Sequence, residues 1–191
     1  MMEQDKIQEL VERSQSQDTV AFALLVGEFQ PLVFRLAFRL LCDEDEAKDM
    51  VQESFVKVWL ALDTYNGKSR FSTWLYKITC NTCYDRLRSL RHIPEKCDPD
   101  IDWQGRLESA DNVESALVNK QLKELILQYT QELTFQQRLV FMLRDVEELD
   151  MNEVQAITGL SSAQIKSTLY LARKNIRNKM IQIDADYETR R

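Results

Sequence analysis

Residues 150–176 read DMNEVQAITGLSSAQIKSTLYLARKNI, and their spacing decides the fold. Asp150 and Glu153 stand three apart, as the two halves of a capping box do, and they predict a short helix that carries Val154 and Ile157 inward. Gly159 follows at the point where the chain must turn, and Leu160 plugs the corner. Ser161 and Gln164 repeat the capping spacing and open a second helix. Its apolar residues Ile165, Leu169, Ala172 and Ile176 are spaced four, three and four apart. This is the arithmetic of a helix-turn-helix. The outward face of the second helix offers Ser162, Ala163, Lys166, Ser167, Thr168, Tyr170 and Arg173. Small residues at its start allow close approach to a groove, and Lys166 and Arg173 can neutralise phosphates.

Outward from that unit the helical pattern continues. The chain of 191 residues holds only four glycines and three prolines, and apolar residues recur at helical spacing, which predicts an all-α protein. A helix is expected over 19–30, with Pro31 opening or kinking the next stretch. Asp43 and Glu46 have capping spacing and start a helix near Glu44, with Ala47, Met50, Val51, Ser54, Val58 and Leu62 as its core side. Asn66-Gly67 makes a turn before a basic helix over 72–90. The proline-containing, acidic stretch HIPEKCDPDIDWQG places a domain boundary near residue 93. A helix over 113–129 restarts order, and Thr134 with Gln137 caps the helix after it. The architecture is therefore two small helical domains, 1–92 and 113–191, joined by an acidic linker at 93–112.

Net charge is −6, yet the charges are sorted. Residues 66–92 carry a local +5, residues 154–183 another +5, and residues 93–118 between them a local −5. Binding to a polyanion depends on a local cationic face more than on the total. In FSTWLYK, Phe71, Trp74 and Tyr76 lie among Lys68, Arg70 and Lys77. Aromatic faces stack unpaired bases and cations follow a backbone, so this mixture suits separated strands. The same spacing also serves a helix core, and Leu75 and Ile78 are expected to be buried. Asp49, Gln52 and Glu53 form a polar patch at i, i+3 and i+4 on the helix that starts near Glu44.

Other function classes find little support. One histidine, no Gly-rich phosphate loop and no nucleophile in a recognisable setting argue against an enzyme. No cofactor is expected. Cys80-x-x-Cys83 with His92 and Cys97 raises a zinc site, but the pair falls mid-helix and the others in the linker, so no metal site is assigned. Four cysteines are too few for a disulfide scaffold. The charged start lacks a signal-peptide core, and no stretch is expected to span a membrane, which together point to a cytoplasmic protein.

Taken together, these stretches resemble the extracytoplasmic-function (ECF) sigma factors of bacterial RNA polymerase. DEDEAKDMVQESFVKVW is similar to the family's region-two helix, matching D-x-x-Q-E-x-F-x-x-x-W at Asp49, Gln52, Glu53, Phe55 and Trp59. FSTWLYKITCNTCYDRLRS resembles the promoter-melting segment, through F-x-T-W-L-Y and N-x-x-x-D-x-L-R. Residues 133–177 resemble region four. The resemblance implies that Asp49, Gln52 and Glu53 meet the clamp helices of the polymerase's largest subunit. It implies that Lys68, Arg70, Phe71, Trp74, Asn81, Arg86 and Arg88 read and open the −10 element. It further implies that the second helix of region four reads the −35 element, that the linker runs near the polymerase cleft, and that a cytoplasmic anti-sigma factor is a partner besides core RNA polymerase and promoter DNA. Where the family commonly has arginine and another basic residue, this chain has Thr168 and Leu171, which shifts phosphate contact toward Lys166, Arg173 and Lys174.

Overall fold

The computed structural model describes residues 4–90, 129–130 and 133–189, with side chains to residue 182. Among these residues there is no strand. The N-terminal domain consists of α1 (Gln4–Gln15), α2 (Thr19–Leu41), α3 (Glu44–Ala61) and α4 (Phe71–Leu90), with a 3-10 turn at Leu62–Thr64. The C-terminal domain consists of α5 (Phe135–Phe141), which runs on as a π turn over Met142–Val146, then α6 (Met151–Thr158) and α7 (Ser162–Thr189). The linker and residues 113–128 of the expected helix lie outside the described residues; Tyr129, its last residue, is helical.

α2 is the axis of the N-terminal domain. Asp18 caps it by accepting from the Val20 and Ala21 amides, and its 23 residues run unbroken through Pro31. No new helix opens at Pro31. Pro31 is exposed, so the backbone bond it forfeits lies on the solvent side, where water can replace it. By length and composition α2 could also cross a membrane, contrary to the sequence expectation. Its apolar residues instead fill two cores. Ala21, Leu25, Phe29 and Val33 pack with Val51, Phe55, Val58, Phe71 and Leu75. Leu36, Ala37, Leu40 and Leu41 pack with Tyr76, Cys80 and Cys83, and with residues of the other domain.

α3 is capped by Asp43, which accepts from the Glu46 amide. It buries five of the six residues assigned to its core side, and Phe55 with them, while the sixth, Leu62, is buried just beyond it in the 3-10 turn. α1 was not foreseen, because its two buried apolar residues, Leu10 and Val11, are too few to give a clear period. It fixes the end of α3: Gln15 Nε2 donates to the carbonyls of Leu62 (3.0 Å) and Tyr65 (2.9 Å).

In the C-terminal domain the capping boxes at Thr134/Gln137 and Asp150/Glu153 both form. Gly159 sits at φ 71, the left-handed conformation that ends α6 and turns the chain into α7. Ile165, Leu169 and Ala172 are buried beneath α7, together with Val154 and Ile157 from α6.

A Cβ at position 159 would meet nothing within 4 Å, so only the backbone conformation resists substitution. Gly159→Ala should therefore cost about 1 kcal/mol and lower Tm by about 2–4 °C. Gly159→Asn, which tolerates this conformation better, should cost less than half as much in the same melting experiment.

Candidate nucleic-acid interface

The aromatic-basic stretch divides between core and surface once it is folded. Phe71 is 4% exposed, its ring 5.2 Å from Phe29 and 5.5 Å from Tyr65. It is a core residue and cannot offer a face to a base, which corrects the expectation that it touches DNA. Leu75 and Tyr76 are buried as well, and Ile78 is half-buried. Trp74 is different. It is half-buried, stacked obliquely on Tyr65 (5.3 Å) and Phe71 (5.8 Å), with part of the indole open. Phe71 is thus the floor on which Trp74 rests.

From Trp74 a stripe runs along the open side of α4. Arg70, Lys77, Asn81, Tyr84 and Arg88 are all exposed, and with Trp74 they recur at intervals of three or four. Lys77 and Tyr84 complete the face, the Tyr84 ring lying 5.2 Å from that of Phe135; neither was among the residues the family resemblance implied, and for Tyr84 the interval from Trp74 was the signal that could have found it. The loop before α4 is held by its neighbours. Tyr65 donates to the Ser69 carbonyl (2.7 Å), the Lys68 amide donates to Asn66 Oδ1 (3.1 Å), and Gly67 takes φ 71. Lys68 and Arg70 project from that pinned loop into solvent.

Arg86 does not join the stripe. Its guanidinium makes two bonds to Glu46 on α3, Nε to Oε2 at 2.5 Å and Nη2 to Oε1 at 2.7 Å. Asp49 and Glu53 also act on it, so it faces the acidic side of α3 and ties α3 to α4. The expected DNA contact here is replaced by an ion pair. Hydrogen bonding to Arg86 holds the Glu46 carboxyl below the usual carboxylate range, against the opposing effect of burial.

On α3, Asp49, Gln52 and Glu53 are exposed as expected, with Glu53 paired to Lys57 at 2.7 Å. Beside Gln52 lies an apolar groove that was not foreseen. Phe22, Phe55, Val56, Trp59 and Leu60 line it, and Phe22 and Trp59 stack at 4.8 Å. Val56 and Leu60 are 58% and 77% exposed, and Val20 and Leu24 of α2 are also exposed. Gln52, Val56 and Leu60 recur every fourth residue, which was the available signal.

On α7, Ala163, Lys166, Ser167, Tyr170 and Arg173 are exposed, and Lys174 and Arg177 extend the same side. Ser162 is half-buried at the helix start. Thr168 is half-buried among the core-side positions next to Leu169, so it is a flank residue rather than part of the open face. Arg173 is held by Asp145 of the π turn through two bonds, at 2.8 and 2.6 Å, while remaining largely exposed.

Cys80 and Cys83 lie inside the core, where burial pushes the Cys83 thiol up to about 12 and the Cys80 thiol well above its ordinary value. They act as packing residues. His92 and Cys97 lie outside the described residues.

Two family descriptions match the chain: Sigma-70 region 2 over residues 25–93 and Sigma-70, region 4 over residues 123–176. The ECF RNA polymerase sigma-E factors of Salmonella typhimurium (strain LT2) and Escherichia coli (strain K12) are 34% and 33% identical over 186 residues, covering 94% of this chain and 97% of theirs. The chain belongs to the ECF sigma factors. Its function is accordingly that of an RNA polymerase sigma factor in promoter-directed transcription initiation. CnrH, solved in complex with the cytosolic domain of CnrY, shares the fold at a TM-score of 0.65 and 22% identity, covering 95% of this chain and 99% of that one.

With Glu46 held low in the folded sigma factor, its pairing contributes stability above the unfolded carboxyl value and loses it as the pH falls through the folded one. Glu46→Gln should therefore lower Tm at pH 7, and its difference from wild type should shrink as the pH falls below about 4.

Proposed function

We propose that this sigma factor divides its work among three exposed faces. The acidic ridge of α3 and the apolar groove beside it dock on core RNA polymerase. The α4 stripe and the 66–70 loop engage the −10 element, with Trp74 as the platform for a base that has left its pair. The open side of α7 reads the −35 element. On this reading region 2 comprises residues 1–92, the linker 93–112 and region 4 residues 113–191. The observation that carries it is the exposure pattern: each of these helices buries its other side, and the residues that the family resemblance assigns to a partner lie mostly on the side left open, with Phe71 and Arg86 the exceptions.

The chemistry of each face fits its role. Exposed apolar residues beside carboxylates suit a protein partner with an apolar ridge and basic flanks. The α4 stripe alternates cations with Trp74 and Tyr84, and so provides backbone neutralisation and stacking together. Opening then follows from preferential binding of unpaired bases, a shift of population toward the melted duplex. The α7 face is small at its start and cationic further along, so backbone approach comes first and phosphate contact second. The chain supplies no catalysis; the polymerase does. It works in the cytoplasm, where polymerase and promoter are. An anti-sigma factor is a natural antagonist, since the Bartonella quintana sigma factor RpoE, whose fold this chain shares at a TM-score of 0.65 and 23% identity over 88% of this chain, was solved in complex with the anti-sigma factor NepR.

Purified core polymerase and a promoter template test all three faces. Glu53→Lys and Leu60→Asp should each weaken core binding about tenfold or more while leaving helix content unchanged. Trp74→Ala should bind core normally yet lower the open-complex signal of permanganate footprinting. Lys166→Ala should weaken holoenzyme binding to an upstream-element duplex and lower the salt slope by about one. A chain that binds duplex alone and is indifferent to core polymerase would instead be a free-standing helix-turn-helix regulator.

A further inference from the structure

The open side of α7 is built of two adjacent rows, because residues four apart on a helix lie one above another. Lys166, Tyr170 and Lys174 form one row; Ala163, Ser167 and Leu171 form the next, and all six are exposed. The first row carries charge at both ends. The second carries none, and it ends in a leucine that is 46% exposed. From Ala163 to Leu171 the helix axis advances about 12 Å, which matches a major groove about 12 Å wide. The whole second row therefore fits within one groove. Asn175, the next residue in the row, is about 18 Å from Ala163 along the axis, past that width.

A base edge in that groove is read either by paired hydrogen bonds or by apolar contact with the thymine methyl group. Around the second row the polar groups are already engaged. Gln164 Oε1 accepts from the Ser161 amide and the Ser161 hydroxyl, each at 2.9 Å, so it cannot present oxygen and amide together to an adenine. The Ser167 hydroxyl donates to the Gln164 carbonyl at 3.0 Å. Arg173 has Nε and Nη2 on Asp145. The lysines stand on the other row, where phosphate contact is assigned. What the second row has left to offer is apolar. Of the two positions where this chain lacks the family's basic residues, Thr168 is half-buried and Leu171 is exposed. We propose that Leu171 is a specificity-determining residue that selects a thymine of the −35 element through its C5-methyl group. Ala163 and Ser167 are small enough to let the helix reach that depth. This rests on the assignment of α7 to the −35 element.

A methyl group against a leucine removes apolar surface from water and engages no charge, so the contact adds affinity without releasing a counterion. The test uses holoenzyme, assembled from the full chain and core polymerase. Its probe is a promoter duplex that the wild-type holoenzyme selects from a library randomised across the −35 element. Each thymine of that element, on either strand, is then replaced singly by deoxyuridine, which removes only the methyl group. One replacement should weaken wild-type binding about three- to fivefold, the effect of one buried methyl group. Leu171→Ala should bind the thymine and deoxyuridine duplexes equally at that position, both as weakly as wild type binds the deoxyuridine one. Its Tm and salt slope should stay at the wild-type values, whereas Lys166→Ala lowers the slope. Leu171→Arg, taken through the same selection, should exchange A·T for G·C there, because a guanidinium finds paired acceptors on guanine. The proposal is overturned if no deoxyuridine weakens wild-type binding, if the loss persists in Leu171→Ala, or if Leu171→Arg selects the same base pair. In each of these cases a weakened Lys166→Ala leaves α7 assigned to the −35 element. Should Lys166→Ala also bind every duplex like wild type, that assignment falls as well.

Discussion

Everything in this structure is arranged around a single helix that must satisfy two cores. α2 gives Ala21, Leu25, Phe29 and Val33 to one and Leu36, Ala37, Leu40 and Leu41 to the other. An apolar helix 23 residues long has no stable exposed state in water, so every neighbouring element is placed by the need to cover it. α1, α3 and α4 cover the first part. The second part is covered by α4 together with residues of the C-terminal domain, and this is why the domains meet. Pro31 falls on the exposed side between the two, where its missing bond costs least.

Charge then works at the margins of that packing. Where carboxylates and cations are brought together with little water between them, they become structural: Glu46 with Arg86, Glu147 with Arg39 and Tyr76, Arg138 with the Leu40 carbonyl. Where cations stay in water, on the open sides of α4 and α7, they remain available to a polyanion. A buried pair is weak evidence for stability, but breaking one partner of it is destabilising, so such a seam favours one arrangement over near neighbours. The π turn at Met142–Val146 sharpens this. The turn sends Asp145 to Arg173 in its own domain, and the residue after it, Glu147, goes across the seam to the other domain. One irregular turn therefore orients a residue of α7 and also bonds across to the N-terminal domain.

The two parts of the site have different physical characters. On α7 the exposed face is an ordinary helix surface, set by periodicity against Ile165, Leu169 and Ala172. On α4 the exposed face depends on what lies below it, because Trp74 is aimed by Tyr65 and Phe71, and the loop before it is pinned by Tyr65 and by Gln15 of α1. Phe71 supports the exposed face from below and is no part of its surface.

Periodicity and caps were enough to read the elements. The boxes at Thr134, Asp150 and Ser161, the glycine at 159 and the buried side of α3 are local facts, because each depends on residues within a turn or two of one another. The all-helical class, the helix-turn-helix and the sorting of charge into two basic faces were likewise visible in the chain alone. What local pattern could not say is which of two chemically suitable residues faces inward. Phe71 and Trp74 are three apart, Arg86 and Arg88 two apart, and Thr168 sits one place from the reading face. Only the position of α2, α3 and α1 against α4 assigns Phe71 to the core, Arg86 to Glu46 and Trp74 to the surface. The seam between the domains was beyond sequence altogether, since Glu147 and its partners Arg39 and Tyr76 lie 108 and 71 residues apart. A contact at that separation is selected by the burial of α2 and leaves no periodic trace in either stretch of chain.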